Sequence, residues 1–430
     1  MVLSTRHWFI GLTAAALLLL SGCNFDGNNG NIRLVNASTD YSSLGVYVDN
    51  NPDISGVNSL AVSGYSQLSP DTNHTFSFTT AGVGPANALA TITQSLPGQS
   101  HRTFVAYGDT GQFATPLVID EDQKAPAGGS SSVEILNTAV DAGPVDVYLT
   151  PSGGGVSLND TSATFSDVQT GTASSFQTIM SGSYELRVTA TGSKTDLRLD
   201  LPSVTFNSGQ VASVIIAGTQ GGVLVHALIL PQQGALVADT NPDARVRTAV
   251  GLSTGTSVTT TVGGVAILAA APVATIGDYQ LVPAGSQAGT VNVDGTSVTL
   301  PTLSFTGGAD YTLLLWTNAS GTQATLLPDS NRLPPSGDAN VRLINAMSGL
   351  GDPLSLTINF EPAASSIALG NASTYSQVPA STTAALAVTD ASTSASISSQ
   401  SAVTLNTQDV YTLFVFGSQA SPVTTLRQDR

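Results

Sequence analysis

From residue 31 onward the chain is written in short runs where apolar and polar positions alternate, each run closed by Gly, Pro, Asn or Asp. Period-two alternation of this kind predicts half-buried antiparallel strands. No segment of this region carries a convincing 3.6-residue period over a helical length. The runs also recur. Ile32-Arg33-Leu34-Val35-Asn36-Ala37 returns as Val341-Arg342-Leu343-Ile344-Asn345-Ala346, with weaker copies at Val133-Glu134-Ile135-Leu136-Asn137-Thr138 and Ala244-Arg245-Val246-Arg247-Thr248-Ala249. A second alternating run follows each, at Gly45–Val48, Val145–Leu149, Val258–Val262 and Leu354–Ile358. Next comes an aromatic near a turn, at Tyr65, Phe176, Tyr279 and Tyr375, and then an apolar strand bearing one hydroxyl, at Thr103, Ser213, Thr312 and Thr412. From aromatic to hydroxyl the spacing is 38, 37, 33 and 37 residues.

Four landmarks in one order, four times, define tandem repeats. Each unit has the length of a β-sandwich with several short strands at regular turn spacing. The expected fold is therefore all-β, with tandem antiparallel sandwiches, immunoglobulin-like or similar, at 31–122, 131–231, 244–331 and 339–430. Polar stretches rich in Pro, Gly and Asp separate them and read as linkers: Glu121–Ser130, Gln232–Asp243 and Asn331–Asp338. The aromatic column, with Phe176 tolerated among tyrosines, reads as a core anchor comparable to the tyrosine corner of sandwich folds.

The first 22 residues are different. One cation, Arg6, precedes an apolar run of 13 residues from Trp8 to Leu20, and Leu20-Ser21-Gly22-Cys23 follows. A basic head, a short apolar run and small residues before a cut site make a secretory signal. The run falls short of the ~20 residues of a membrane span. Leu-Ser-Gly-Cys is similar to the lipobox of bacterial lipoproteins, which implies a signal peptide over 1–22 and acylation of Cys23 as the first mature residue. Asn24 after the cysteine, by resemblance to lipoprotein sorting rules, implies the outer membrane. Residues 23–30 then form a short polar tether. Cys23 is the one cysteine in the chain, so no internal disulfide is available and stability must come from core burial.

The phrases Ile32 to Ser38 leading into Val46-Tyr47-Val48-Asp49, and Leu333-Pro334-Pro335-Ser336-Gly337-Asp338 running into Val341-Arg342, resemble the bacterial domain-of-unknown-function family numbered 4397. The resemblance is strongest in repeats one and four and weakest in three, where Ser257–Gly264 lacks the usual aromatic. It implies β-sandwich repeats in the cell envelope, and it carries no activity and no catalytic residues.

Composition narrows the function. Hydrophobic residues make up 41% and charged residues 10%, which excludes a charge-driven disordered chain. The formal charge is −16, so binding nucleic acid through phosphate neutralisation is disfavoured. Direct docking on anionic lipid headgroups is disfavoured for the same reason.

Candidate chemistry is sparse. Gly251-Leu252-Ser253-Thr254-Gly255 matches the nucleophile-elbow spacing of serine hydrolases, but that motif needs a helix after the turn and a histidine later in the chain. Here Ser257–Thr261 reads as a strand and the last histidine, His226, precedes the serine. Ser253 is read as a loop residue. His74, His101 and His226 lack the clustered partners of a metal or general-base site, and His226 is read as a strand residue. Asp120-Glu121-Asp122 lacks the spaced ligands and glycine of a calcium loop and is read as solvated linker charge. We expect no catalytic residue, metal or cofactor.

The expected function is a non-enzymatic envelope lipoprotein. It would sit in the bilayer through acylated Cys23 and present sandwich loops to a polymer, a surface structure or a partner protein. A scaffold subunit associating through sheet edges, and a hydrolase of esters or polysaccharide, are the alternatives. If Cys23 is the anchor, Cys23→Ser abolishes metabolic labelling with a fatty acid and leaves unprocessed precursor in the membrane fraction. Unchanged labelling of the variant rules the anchor out.

Overall fold

The computed structural model describes residues 28–349 and 351–430; the leader and Cys23 lie outside the described residues. Each repeat is two facing sheets. In repeat 1 the first sheet carries the strands Leu117–Asp120, His101–Ala106 and Gly30–Asn36 in that order, with Ala61–Val62 and Ser66–Leu68 on the far side of the last. The second sheet runs Asn51–Asn58, Ser43–Val48, Asn73–Thr80, Ala90–Ser95. Repeats 2, 3 and 4 repeat this plan with small additions at the edges.

One pairing in each repeat departs from the antiparallel rule. The first strand lies parallel to the strand bearing the hydroxyl landmark, with Arg33 opposite Thr103, Glu134 opposite Ser213, Arg247 opposite Thr312 and Arg342 opposite Thr412. Parallel neighbours need a long crossover, and here the whole second sheet supplies it. These registers also correct the alignment of repeat 3. Its counterpart of Arg33 is Arg247, two residues beyond Arg245. A slip of two leaves every side chain on the same face of a strand, so alternation alone cannot detect it.

The two central strands of the first sheet are buried on both faces. Ile32, Leu34 and Phe104 point into the core of repeat 1, where they meet Val46, Phe76 and Phe78 of the second sheet. Their neighbours Val35, Val105 and Ile119 point the other way and pack on Leu136, Ile215 and Leu228 of repeat 2. Repeats 3 and 4 do the same, with Ala249, Leu314 and Leu327 against Ile344, Phe414 and Phe416. The chain is thus two pairs of sandwiches, each pair joined by a four-layer core.

The stretches expected to be linkers are in part pinned. Glu121 is 1% exposed, Asn241 is 3% exposed and Asn331 is fully buried. Gln232 and Gln123 exchange hydrogen bonds of 2.9 and 3.0 Å across the first pair. Residues Val237–Asp239 even add a short strand to the sheet of repeat 2. Backbone polar groups that leave a sheet near another sheet must find partners there, and these segments do.

An isolated repeat would expose the outer face of its first sheet. Removing Ile344, Phe414 and Phe416 from cover costs about 1.5–3 kcal/mol for each side chain. A fragment of residues 244–430 should therefore melt in one cooperative transition, whereas residues 339–430 alone should bind a hydrophobic dye and self-associate. A monomeric 339–430 fragment with a sharp melt contradicts obligate pairing.

Candidate functional site

Charges run through the apolar seams. In the second pair, the two repeats exchange them reciprocally. Arg247 of repeat 3 makes a two-pronged contact with Asp429 of repeat 4, and Arg342 of repeat 4 bonds Asp329 of repeat 3. Each aspartate also accepts its own repeat's landmark hydroxyl, Thr312 to Asp329 at 2.6 Å and Thr412 to Asp429 at 2.5 Å. Tyr279 donates to Asp329 at 2.6 Å and lies under Arg247, 4.6 Å from ring centre to guanidinium. Arg342 covers Tyr375 at 4.7 Å in the same way. Burial alone would raise the Asp329 carboxyl, but Arg342, Arg247 and the hydrogen bonds from Thr312 and Tyr279 outweigh it and hold it below the usual range.

The first pair carries half of this device. Arg33 bonds Glu121 of its own repeat at 2.6 Å, covers Tyr65 at 4.7 Å and reaches the Gly234 carbonyl of repeat 2 at 2.6 Å. Repeat 2 has Glu134 where the arginine would stand, accepting from Ser213 at 2.6 Å, and burial raises its pKa. The aromatic column is therefore a seam feature. Tyr65, Tyr279 and Tyr375 lie half-buried beneath guanidinium groups between repeats, and not inside a sandwich core as a tyrosine corner would.

The sequence candidates scatter. Asp120, Glu121 and Asp122 turn to three different partners, Arg102, Arg33 and His101, so no calcium cage forms and Glu121 is a buried charge, not a solvated one. His74 pairs with Asp49 at 2.7 Å. His226 is buried on its strand, accepts from the Asn241 amide at 2.9 Å, and is pushed down to about 4 by desolvation. Ser253 is exposed beyond the opposite end of the first strand of repeat 3, far along the strand from the Gly308 that His226 touches. Among the described residues no group of three or more His, Cys, Asp or Glu could hold a metal.

What the sequence did not foreshadow is the junction between the pairs. Loops at one end of repeats 1 and 2 receive the starting end of repeats 3 and 4. Arg332 bonds Asp40 at 2.5 Å, lies 3.6 Å from Asp109 and donates to the Thr219 carbonyl at 3.3 Å. The Leu333 amide donates to Asp141 at 2.8 Å, and Arg430 donates to the carbonyls of Gly222 and Asp141. Gly222 has φ +88° and a Cβ there would meet the Asn331 backbone at 2.7 Å, so the approach requires glycine. Burial, then the neighbouring Asp109, push Asp141 up to about 7.

Two clefts remain. A cavity of about 560 Å³ lies between repeats 3 and 4 beside the junction, lined by Asp310, Tyr311, Pro328, Arg342, Ser373 and Tyr375, with Gln220 reaching in from repeat 2. Its charges are already used: Asp310 by Arg245 and Asn331, Arg342 by Asp329. A second, of about 530 Å³, opens at the far loop end of repeats 3 and 4, among Ser253, Asn318, Ala319, Ser348, Leu369 and Ser418. This is the end that, in repeats 1 and 2, is filled by Arg332, Leu333 and Arg430. Both clefts offer shape and hydrogen-bonding groups.

The family model for the domain of unknown function DUF4397 matches residues 30–148 and 244–352. No curated protein matches the chain. Among solved structures, a candidate cell adhesion protein from Bacteroides uniformis is similar at 11% identity, covering 47% of this chain and 99% of its own, with a TM-score of 0.21. Ligand-free PulA from Klebsiella pneumoniae is similar at 13% identity over 65% of this chain and 31% of its own, with a TM-score of 0.17. The Bacillus anthracis TIE protein is similar at 9% identity over 90% and 68%, with a TM-score of 0.15. Likeness at this level carries no argument about function.

Two outcomes are expected from this geometry. Asp329→Ala strands Arg342 and the Tyr279 and Thr312 hydroxyls, and should destabilise the second pair by about 3–5 kcal/mol. Tyr375→Phe should stay within about 1 kcal/mol, because the Tyr375 hydroxyl is buried without a well-formed hydrogen bond. Denaturant titration separates the two, and equal costs contradict the assignment.

The junction should also be pH-dependent. An unfolded aspartate titrates near ~3.9, whereas folded Asp141 holds its proton up to about 7. Its contribution is fully present below the unfolded value and is lost as pH rises through the folded one. Thermal melts at pH 5 and pH 8 should differ more for the wild type than for Asp141→Asn. An identical pH response of the two proteins counts against the buried acid.

Proposed function

The chain belongs to the DUF4397 family, and from that premise we propose that it is a non-enzymatic lipoprotein of the bacterial cell envelope, held in the outer membrane through acylated Cys23. Its two docked pairs of sandwiches act as a stalk. They carry the loop end of repeats 3 and 4 away from the bilayer to bind a polymer, a surface structure or a partner protein.

The observation that carries this reading is the difference between the two loop ends. The tether enters repeat 1 at Gly30, at the start of its first strand, and the junction lies past the other end of that strand, at Thr39 and Asp40. Repeats 3 and 4 continue beyond the junction, and their own loop end is the one left open. A binding end placed far from an anchor is what a stalk is for.

A photo-crosslinking residue at Ala319 should form adducts in intact envelopes, and the same residue at Met180, exposed on repeat 2, should not. Equal labelling at both places, or none at either, counts against the proposal. The scaffold reading is favoured by one observation: the edge strand Ser396–Leu405 is long, uncharged and largely exposed. It predicts concentration-dependent association in sedimentation, whereas the stalk reading predicts a monomer. As a non-enzyme the chain should resist covalent labelling by a fluorophosphonate, and labelling lost in Ser253→Ala would restore the hydrolase.

A further inference from the structure

The two loop ends are built from corresponding segments. Six residues beyond the landmark hydroxyl stand Asp109, Thr219, Asn318 and Ser418 in repeats 1 to 4. Four residues beyond the end of the first strand's shared register stand Asp40 and Asp141 in repeats 1 and 2, while the matching positions in repeats 3 and 4 are Thr254 and Gly349; the one acid of the repeat 4 loop, Asp352, accepts from Ser392. The same architecture therefore occurs twice, once filled, with acids at these positions, and once open, without them.

The filled copy demonstrates what such a cleft accepts. It takes an extended piece of polypeptide, Arg332-Leu333. The Leu333 amide donates to Asp141 at 2.8 Å, its carbonyl accepts from Gln112 at 3.5 Å, and the arginine head is gripped by Asp40 and the Thr219 carbonyl. Main-chain groups supply the fit and one side chain supplies the choice, as in other modes of peptide capture.

We propose that the open cleft at the loop end of repeats 3 and 4 is a binding site for an extended, uncharged polypeptide segment of a partner protein. This rests on the reading that this end faces outward as the binding end. Asn318 stands where Asp109 stands in the first pair and Ser418 where Thr219 stands, and their amide and hydroxyl, with the hydroxyl of Ser253, suit backbone amides and carbonyls. Leu369 and Ala319 offer a small apolar floor. No charged residue lines the cleft among the described residues, so a basic side chain such as Arg332 would be desolvated without a counter-charge. No aromatic ring lines it either, so a sugar has no platform to stack on.

The probe is a displayed library of random linear heptapeptides, panned against the purified full chain. Enriched sequences should be uncharged and should bind about tenfold more weakly to Ser253→Trp, which fills the cleft from an exposed position. Ala319→Trp serves as a second filling variant, and both are compared with the wild type by thermal melt. Asn318→Asp combined with Thr254→Asp restores carboxylates at the positions of Asp109 and Asp40 and should turn the selection toward arginine-containing peptides. Enrichment indifferent to both tryptophan variants, or no enrichment over a bare surface, overturns the proposal. Binding of neutral oligosaccharides that the tryptophan variants abolish would overturn the polypeptide class while leaving the outward binding end standing; failure of crosslinking from Ala319 would remove that end itself.

Discussion

A sheet that is apolar on both faces cannot end a molecule. In every repeat the first strand and the hydroxyl strand send alternate residues inward and outward, and both sets are apolar: Leu34 and Phe104 to the repeat's own core, Val35 and Val105 to its neighbour. Burying one face alone would leave the other exposed in a continuous patch. Pairing follows from that, and with it the four-layer cores, the seam charges and the short pinned connections. The parallel register of the two strands follows as well, because sheets covered on both faces are where parallel neighbours are found.

The seam is held in register by charge more than it is strengthened by it. A buried ion pair returns little net stability over an apolar substitute, but an unmatched buried charge is costly. Arg247 and Arg342 each meet the partner's aspartate, so a one-residue slip between repeats 3 and 4 would leave two guanidinium groups and two carboxylates without partners. The landmark threonines complete each cluster by donating to the same carboxylates. In repeats 1 and 2 a single arginine serves, and the contact to the partner becomes a backbone carbonyl.

Much of this was legible in the sequence, and the failures have physical causes. The strands, their order and the four landmarks were readable because alternation and spacing are properties of single strands. Arg247 was misplaced by two residues because a period of two is blind to such a shift. The tyrosine column was recognised as structural but given the wrong surroundings, since an amphipathic ring suits a sandwich corner and an inter-repeat seam alike. Glu121 looked like solvated charge because it stands beside Asp120 and Asp122, yet only the strand register shows that it faces Arg33. One signal was available: an arginine opposite a hydroxyl in otherwise apolar strands, with an acid 17 or 18 residues after that hydroxyl, recurs in repeats 1, 3 and 4.

The junction decides which connection docks and which does not. The segments Glu121–Ser130 and Asp329–Asp338 have equal length, and Lys124 stands three residues beyond its acid as Arg332 stands beyond Asp329. Arg332 finds Asp40 and Asp109 waiting, because a pair with acidic loops precedes it. Lys124 is exposed. In repeats 3 and 4 the positions of Asp40, Asp109 and Asp141 carry Thr254, Asn318 and Gly349. Here the difference is confined to a few loop positions while the strands beneath keep the same registers. Loss of three carboxylates thus separates a filled loop end from an open one, whose cleft lies among Ser253, Asn318 and Ser418.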